Sequence, residues 1–191
     1  MVLRPVSVKL IPVHPKEIIS AFDRFLAQRG LMFEAVVIGG AALGLLGVVA
    51  RQTRDCDILH PALPESIRIA AVEFAVQERL RGEALDDDWL NNGPSSLAEA
   101  LPAGWINRVH AVFSGRAITL KCLGRSDLLM SKVFALCDRG IDRSDCLALA
   151  PTIDELDEIT PWLEGQDANP GWPEHVRATL ADLKQRLGRG V

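Results

Sequence analysis

Residues 36–59 read VVIGGAALGLLGVVARQTRDCDIL. An apolar run meets a glycine pair, a second apolar run follows, and two aspartates then stand one residue apart. This order predicts a strand over 36–38, a tight turn at Gly39 and Gly40, a helix over 40–50 and a second strand over 55–59. A short strand that is apolar at every position suits a sheet covered on both faces. Side chains alternate along a strand, so Asp55 and Asp57 share one face while Cys56 takes the other and packs inward.

Upstream, residues 2–13 alternate loosely around Pro5 and Pro12 and read as an extended lead-in. Residues 15–28 carry Ile18, Ile19, Phe22, Phe25 and Leu26 on one helical stripe, opened by Pro15 and ended by Gly30. Downstream, residues 64–80 form a second amphipathic helix, with Ile67, Ala71, Phe74, Ala75 and Val76 inward and Glu65, Arg68, Glu73, Glu78 and Arg79 toward water. Strand, helix, strand, helix is an α/β beginning.

Residues 82–105 are rich in Gly, Pro, Asn and Asp and form the longest expected loop, holding a short helix over 96–101. Long loops in compact domains are often functional. Residues 109–113 and 117–123 read as a hairpin closed by Ser114, Gly115 and Arg116. The last third is helical, over 126–137, 142–150, 153–164 with a break near Pro161, and 173–187. The expected fold class is α+β, a small mixed β-sheet flanked by helices, with a core over 1–124 and a C-terminal helical portion over 125–191 packed on it as one unit.

Composition narrows the function classes. The 191 residues are 48% hydrophobic and 24% charged, as in a globular domain rather than a disordered chain. A net charge of -4 gives no general attraction to a polyanion, so a nucleic-acid partner would meet a local patch. The four cysteines form no CxxC pair and read as reduced core residues of a cytoplasmic protein, neither a zinc site nor a disulfide framework. Arg4, Lys9 and two prolines break up the start, which is therefore not a signal peptide. The uncharged run over 35–50 is shorter than the ~20 residues a membrane span requires.

Two carboxylates on one strand face are hard oxygen ligands of the kind Mg²⁺ takes, with waters and substrate phosphates completing its shell. A glycine pair where a strand gives way to a helix lets backbone N–H groups approach a phosphate that no side chain obstructs. Together these features point to phosphoryl or nucleotidyl transfer. Further along, Leu129, Lys132, Val133 and Leu136 fall on one helical face. A lysine in an apolar stripe either meets a ligand's anion or snorkels to water or a structural acid.

VIGG followed by RQTRDCDIL resembles the signature of the nucleotidyltransferase superfamily of the DNA polymerase β type: a hydrophobic residue, Gly with Gly or Ser, then acid-x-acid on the next strand. More narrowly the chain is similar to the AbiEii-like branch linked to abortive infection and toxin–antitoxin pairs. That likeness rests on Arg51-x-Thr53, on Asp88-Trp89-Leu90-Asn91, and on SDLLMSKVFALCDRGIDRSD at 126–145. The resemblance implies a nucleotidyltransferase fold and transfer of an NMP from a nucleoside triphosphate to a hydroxyl on RNA, such as tRNA, or on protein. It implies Mg²⁺ on Asp55 and Asp57, nucleotide contacts from Gly39, Gly40, Arg51 and Thr53, catalytic roles for Lys132 and Asp145, and an antitoxin partner.

One departure matters. The superfamily places a third carboxylate on a later strand between apolar residues, and the strand AITLKCL, matched to it here, offers Lys121 and no acid. Asp86, Asp87, Asp88 and Asp145 are the candidate substitutes. The alternative is a catalytically inactive nucleotide-binding or partner-binding protein on the same fold. Trp89 and Asn91 have two readings, contact with a base or, for the tryptophan, a cap on the core.

Overall fold

A computed structural model describes residues 15–50 and 55–189. It opens with α1 (Pro15–Gln28), β1 (Phe33–Ile38), α2 (Gly39–Leu45), β2 (Cys56–His60) and α3 (Glu65–Leu80), in the order the sequence predicts. The lead-in over 2–13 lies outside the described residues. Two boundaries move by three residues or more. β1 starts at Phe33 because Glu34 takes an exposed position in the alternation and pairs with Lys121 at 2.5 Å. α2 stops at Leu45 because the chain turns at once, the Val48 N–H bonding back to the Leu43 carbonyl at 2.9 Å.

Residues 82–105 hold more structure than a loop: β3 (Leu90–Asn91) and α4 (Leu97–Ala100), with a 3₁₀ turn at Trp105–Arg108 after them. The hairpin β4 (His110–Ser114) and β5 (Ile118–Cys122) completes a five-stranded mixed sheet in the order β3-β2-β1-β5-β4. β1 lies antiparallel to β2 and parallel to β5, and β2 lies parallel to β3.

The aromatic part of the core joins α1 to α3. Phe22 lies 5.2 Å from Phe74 between ring centres, and Trp89 stands edge-on to Phe22 at 5.1 Å while its indole N–H donates to the Ala71 carbonyl at 3.1 Å. Trp89 is therefore a cap on the core and does not reach the cleft described below. On α3 two assignments reverse: Val76 is exposed and Glu78 buried. The inward stripe runs through Ile67, Ala71, Phe74 and Glu78, and Val76 sits about half a turn away from Phe74.

The helical portion comprises α5 (Arg125–Arg139), α6 (Arg143–Ala148), α7 (Ile153–Glu164) and α8 (Trp172–Gly188). α7 runs through Pro161 unbroken; the ring removes one N–H, but Leu156, Ile159 and Leu163 keep that helix packed near an end it reaches at Glu164. Side-chain ties fasten this portion to the rest at two places. The Arg108 guanidinium donates two bonds to the buried Asp127 of α5, at 2.7 and 2.8 Å. Trp162 of α7 donates to the Ala100 carbonyl of α4 at 2.9 Å. Within the portion, Arg125 of α5 donates to Glu155 of α7 at 2.9 Å, and with the Thr152 N–H it draws that carboxyl down to about 2.

All four cysteines are free and buried. Burial pushes the Cys56, Cys122 and Cys146 thiols up to about 12, which makes them poor nucleophiles and metal ligands. Among the described residues, no helix is long and apolar enough to cross a membrane.

Candidate active site

A cleft of about 670 Å³ opens where β1 passes into α2, and it is walled by that turn, by the start of β2, by the segment after β3 and by α5. Gly39 makes the turn with φ +72°, a left-handed conformation that L side chains rarely adopt. A second constraint acts on the same residue. A Cβ at Gly39 would stand 2.5 Å from Oδ2 of Asp57, so the glycine makes room for the carboxylate. Sheet register accounts for the closeness, since Ile38 pairs with Asp57 across the antiparallel β1–β2 ladder.

Alternation places the acids as expected. Asp55 and Asp57 both line the cleft, and Cys56 between them is buried on the other face. Burial pushes the Asp57 carboxyl above the ordinary carboxylate range and the charge of Asp55 adds to this, while the Asn91 hydrogen bond and the Lys132 and Arg139 charges offset only part of it. Arg51 and Thr53 lie outside the described residues.

The strand that flanks the acids is β3, not β5. β5 adjoins β1, and its Lys121 is bound to Glu34; β3 pairs directly with β2 and sets Asn91 opposite Asp57. The side chain at this position is an amide, and its Nδ2 donates to Asp57 Oδ1 at 3.3 Å. Asp86, Asp87 and Asp88 do not line the cleft. Asp87 is paired with Arg79 at 2.6 Å, and the Asp88 backbone carbonyl accepts from Asn91 at 3.4 Å.

Lys132 does line the cleft, although it is only 4% exposed. It donates to Asp145 of α6 at 2.8 Å, and Asp142 lies 3.8 Å from the same nitrogen. Of the two sequence readings of this lysine, the structure shows the pairing with a structural acid, and the same side chain also borders the cleft. An ammonium carries three donors, and Asp145 takes one. Asp145 is fully buried and forms no part of the cleft wall, so it acts on the cleft through Lys132.

Arg139 was not singled out in the sequence, yet it lines the cleft about two helical turns beyond Lys132 and its charge reaches Asp57. The signal was the spacing along α5, hidden because arginine at the end of a helix ordinarily complements the helix dipole. Asp142, which caps α6 with φ +68°, lies 3.5 Å from Arg139 and shares the two cations.

The donor set fits one hard divalent cation. Among the described residues, no group of three or more His, Cys, Asp or Glu is placed to hold a metal ion. Of the four carboxylates that line the cleft, Asp138 and Asp142 lie on the α5–α6 side, where Asp142 is engaged by Lys132 and Arg139, and Asp55 and Asp57 stand together; Mg²⁺ habitually takes one or two, leaving its other positions to water and phosphate oxygens.

An α+β fold with a strand–glycine–helix turn facing two carboxylates at the start of the neighbouring strand defines a nucleotidyltransferase-like protein. A family model described as "Nucleotidyltransferase of unknown function (DUF6036)" matches residues 16–157, and the chain belongs to that family. The matched stretch includes every described residue assigned to the site from sequence. Comparison with curated proteins and with solved structures finds no match.

Proposed function

We propose that the protein is a cytoplasmic, Mg²⁺-dependent nucleotidyltransferase that moves an NMP unit from a nucleoside triphosphate to a hydroxyl on RNA or protein. The observation that carries this is the convergence of Gly39, Asp55, Asp57, Lys132 and Arg139 on one cleft. Gly39 and Gly40 carry no side chain where α2 begins, so the backbone N–H groups there donate to phosphate oxygens without a side chain intervening. Lys132, held by Asp145, and Arg139 neutralise the triphosphate on the opposite wall. Asp55 and Asp57 hold Mg²⁺, which supplies charge neutralisation and alignment of the phosphates when bound. Arg51 and Thr53 join the nucleotide contacts on the strength of the family likeness. The acceptor oxygen bonds to the α-phosphorus as the bond to pyrophosphate breaks, and the hydroxyl proton passes to water.

The likeness to the AbiEii-like branch extends this proposal to a toxin–antitoxin or abortive-infection role, with tRNA as acceptor and a small antitoxin as partner. A second reading, a nucleotide-binding protein without turnover, is favoured by one observation: the residue opposite Asp57 is an amide.

Incubation with α-labelled nucleotides, Mg²⁺ and total RNA or lysate tests the first. The label is expected to move to an acceptor and to stay on the nucleotide with the Asp55→Ala/Asp57→Ala variant; transfer by that variant overturns the assignment. Thermal stabilisation by a nucleotide without transfer selects the second reading, and no stabilisation by any nucleotide removes both.

A further inference from the structure

We infer that Asn91 is a positioning residue that fixes Asp57 and confines the cleft to a single divalent cation. This rests on the nucleotidyl-transfer reading of the same cleft. The direction of the Asn91 amide is set from behind. Its Oδ1 accepts the Gly93 N–H at 2.7 Å, so that oxygen is engaged and Nδ2 is the end turned to Asp57 Oδ1 at 3.3 Å. Asn92 anchors the segment from the other side. Its Oδ1 accepts the Leu63 N–H at 2.6 Å, and its Nδ2 donates to the carbonyls of Ile58 and Pro61 at 3.0 and 3.1 Å. Two consecutive amides thus clamp β3 onto β2 and its exit, and the register Asp57↔Asn91 follows.

The consequence is chemical. An amide N–H has no lone pair to give a cation, so what faces Asp57 from β3 is a donor where an acid would be a ligand. Two-metal sites hold their ions roughly 3.5–4 Å apart and need ligands enough to bridge and flank both. Asp55 and Asp57 supply one ion's share. The Asn91 bond also restrains Asp57 through Oδ1, the oxygen other than the one that occupies the space beside Gly39.

Crystals of the whole chain grown with Mn²⁺ and α,β-methylene-ATP count the ions directly by anomalous scattering. One manganese peak beside Asp55 and Asp57 is expected in the wild type, and two in Asn91→Asp, in which an oxygen replaces Nδ2 while the other still accepts from Gly93. Two peaks in the wild type overturn the single-cation inference and leave nucleotidyl transfer intact. No nucleotide and no manganese in the cleft overturns both. A single peak in a folded Asn91→Asp protein overturns the role of Asn91 in limiting the count. The positioning role is read separately from free Mn²⁺ by electron paramagnetic resonance: Asn91→Ala should keep one ion per chain and weaken it about 10- to 100-fold, as loss of an outer-shell partner does. Unchanged affinity in that variant overturns the positioning role, whether or not Asn91→Asp folds.

Discussion

Asp23 and Asp57 are both carboxylates set against a glycine whose missing Cβ makes room for them, and folding shifts their pKa values in opposite directions. A Cβ at Gly115 would stand 2.1 Å from Asp23 Oδ1, as one at Gly39 would stand 2.5 Å from Asp57 Oδ2. Asp23 then accepts the N–H groups of Arg116, Ala117 and Ile118 at 3.1, 2.8 and 2.8 Å, closing the β4–β5 turn. Burial pushes its carboxyl up, but those backbone donors outweigh it and hold it below the usual range. Asp57 receives one amide bond at 3.3 Å, and burial and Asp55 keep it above that range. The two sites use the same backbone device, but among the described residues Asp23 takes three backbone donors and Asp57 a single side-chain donor. The carboxylate left short of donors is the one that faces the cleft.

The largest effect is expected where satisfaction is complete. Asp23→Ala leaves buried N–H groups without a partner and should cost about 3–5 kcal/mol, read by denaturant unfolding. A loss below about 1 kcal/mol would erase the contrast between the two acids. The pH dependence also separates them. Folding lowers the Asp23 pKa, so its stabilisation is complete above the ordinary carboxyl pKa of about 3.9 and fades as acid protonates the folded form. Folding raises the Asp57 pKa, so the stability that this residue contributes declines as pH climbs through the carboxylate range toward its folded value.

The contrast also explains what could be read beforehand. Strand β2 was legible because alternation alone assigns Asp55, Cys56 and Asp57 to their faces. The helices were legible from their stripes, and errors fell where the stripe was mis-phased, as at Val76 and Glu78. What neighbours in sequence cannot show is which strand flanks which. β3 is only Leu90–Asn91, too short for any periodicity, and it lies in a stretch whose composition reads as loop. Asn91 consequently reads in the sequence as a base contact with nothing to place it beside Asp57, and the third-acid position reads onto β5. Asp23 gave no signal at all, because its partners are backbone N–H groups more than ninety residues away.

Removing the charge at the unsatisfied site should have a smaller effect of opposite sign. Asp57→Asn keeps an oxygen to accept the Asn91 amide and ends the repulsion from Asp55, so the ligand-free protein should gain about 0.5–1 kcal/mol. Nucleotidyl transfer should fall roughly 10²–10³-fold, the scale of losing one preorganised electrostatic contact. Unfolding monitored at neutral pH without divalent cations measures the first quantity, and label transfer the second. A variant that is less stable than the wild type would mean that the Asp57 charge is already balanced within the fold.

The smallest structural effect belongs to Arg139, and it sharpens the comparison from the cation side. Its side chain is 57% exposed and its contact with Asp142 is long, at 3.5 Å, so Arg139→Ala should change stability by no more than about 0.5 kcal/mol. Its charge nevertheless reaches Asp57 across the cleft, as that of Lys132 does from a buried position. Removing Lys132 breaks its buried ion pair with Asp145, which confounds folding with function. Arg139 carries no such burden. Steady-state kinetics of Arg139→Ala should show the nucleotide KM raised about tenfold with kcat little changed, the pattern of an interaction made equally in ground and transition states. If KM stays put, Arg139 serves Asp142, and among the described residues Lys132 supplies the positive wall of the cleft.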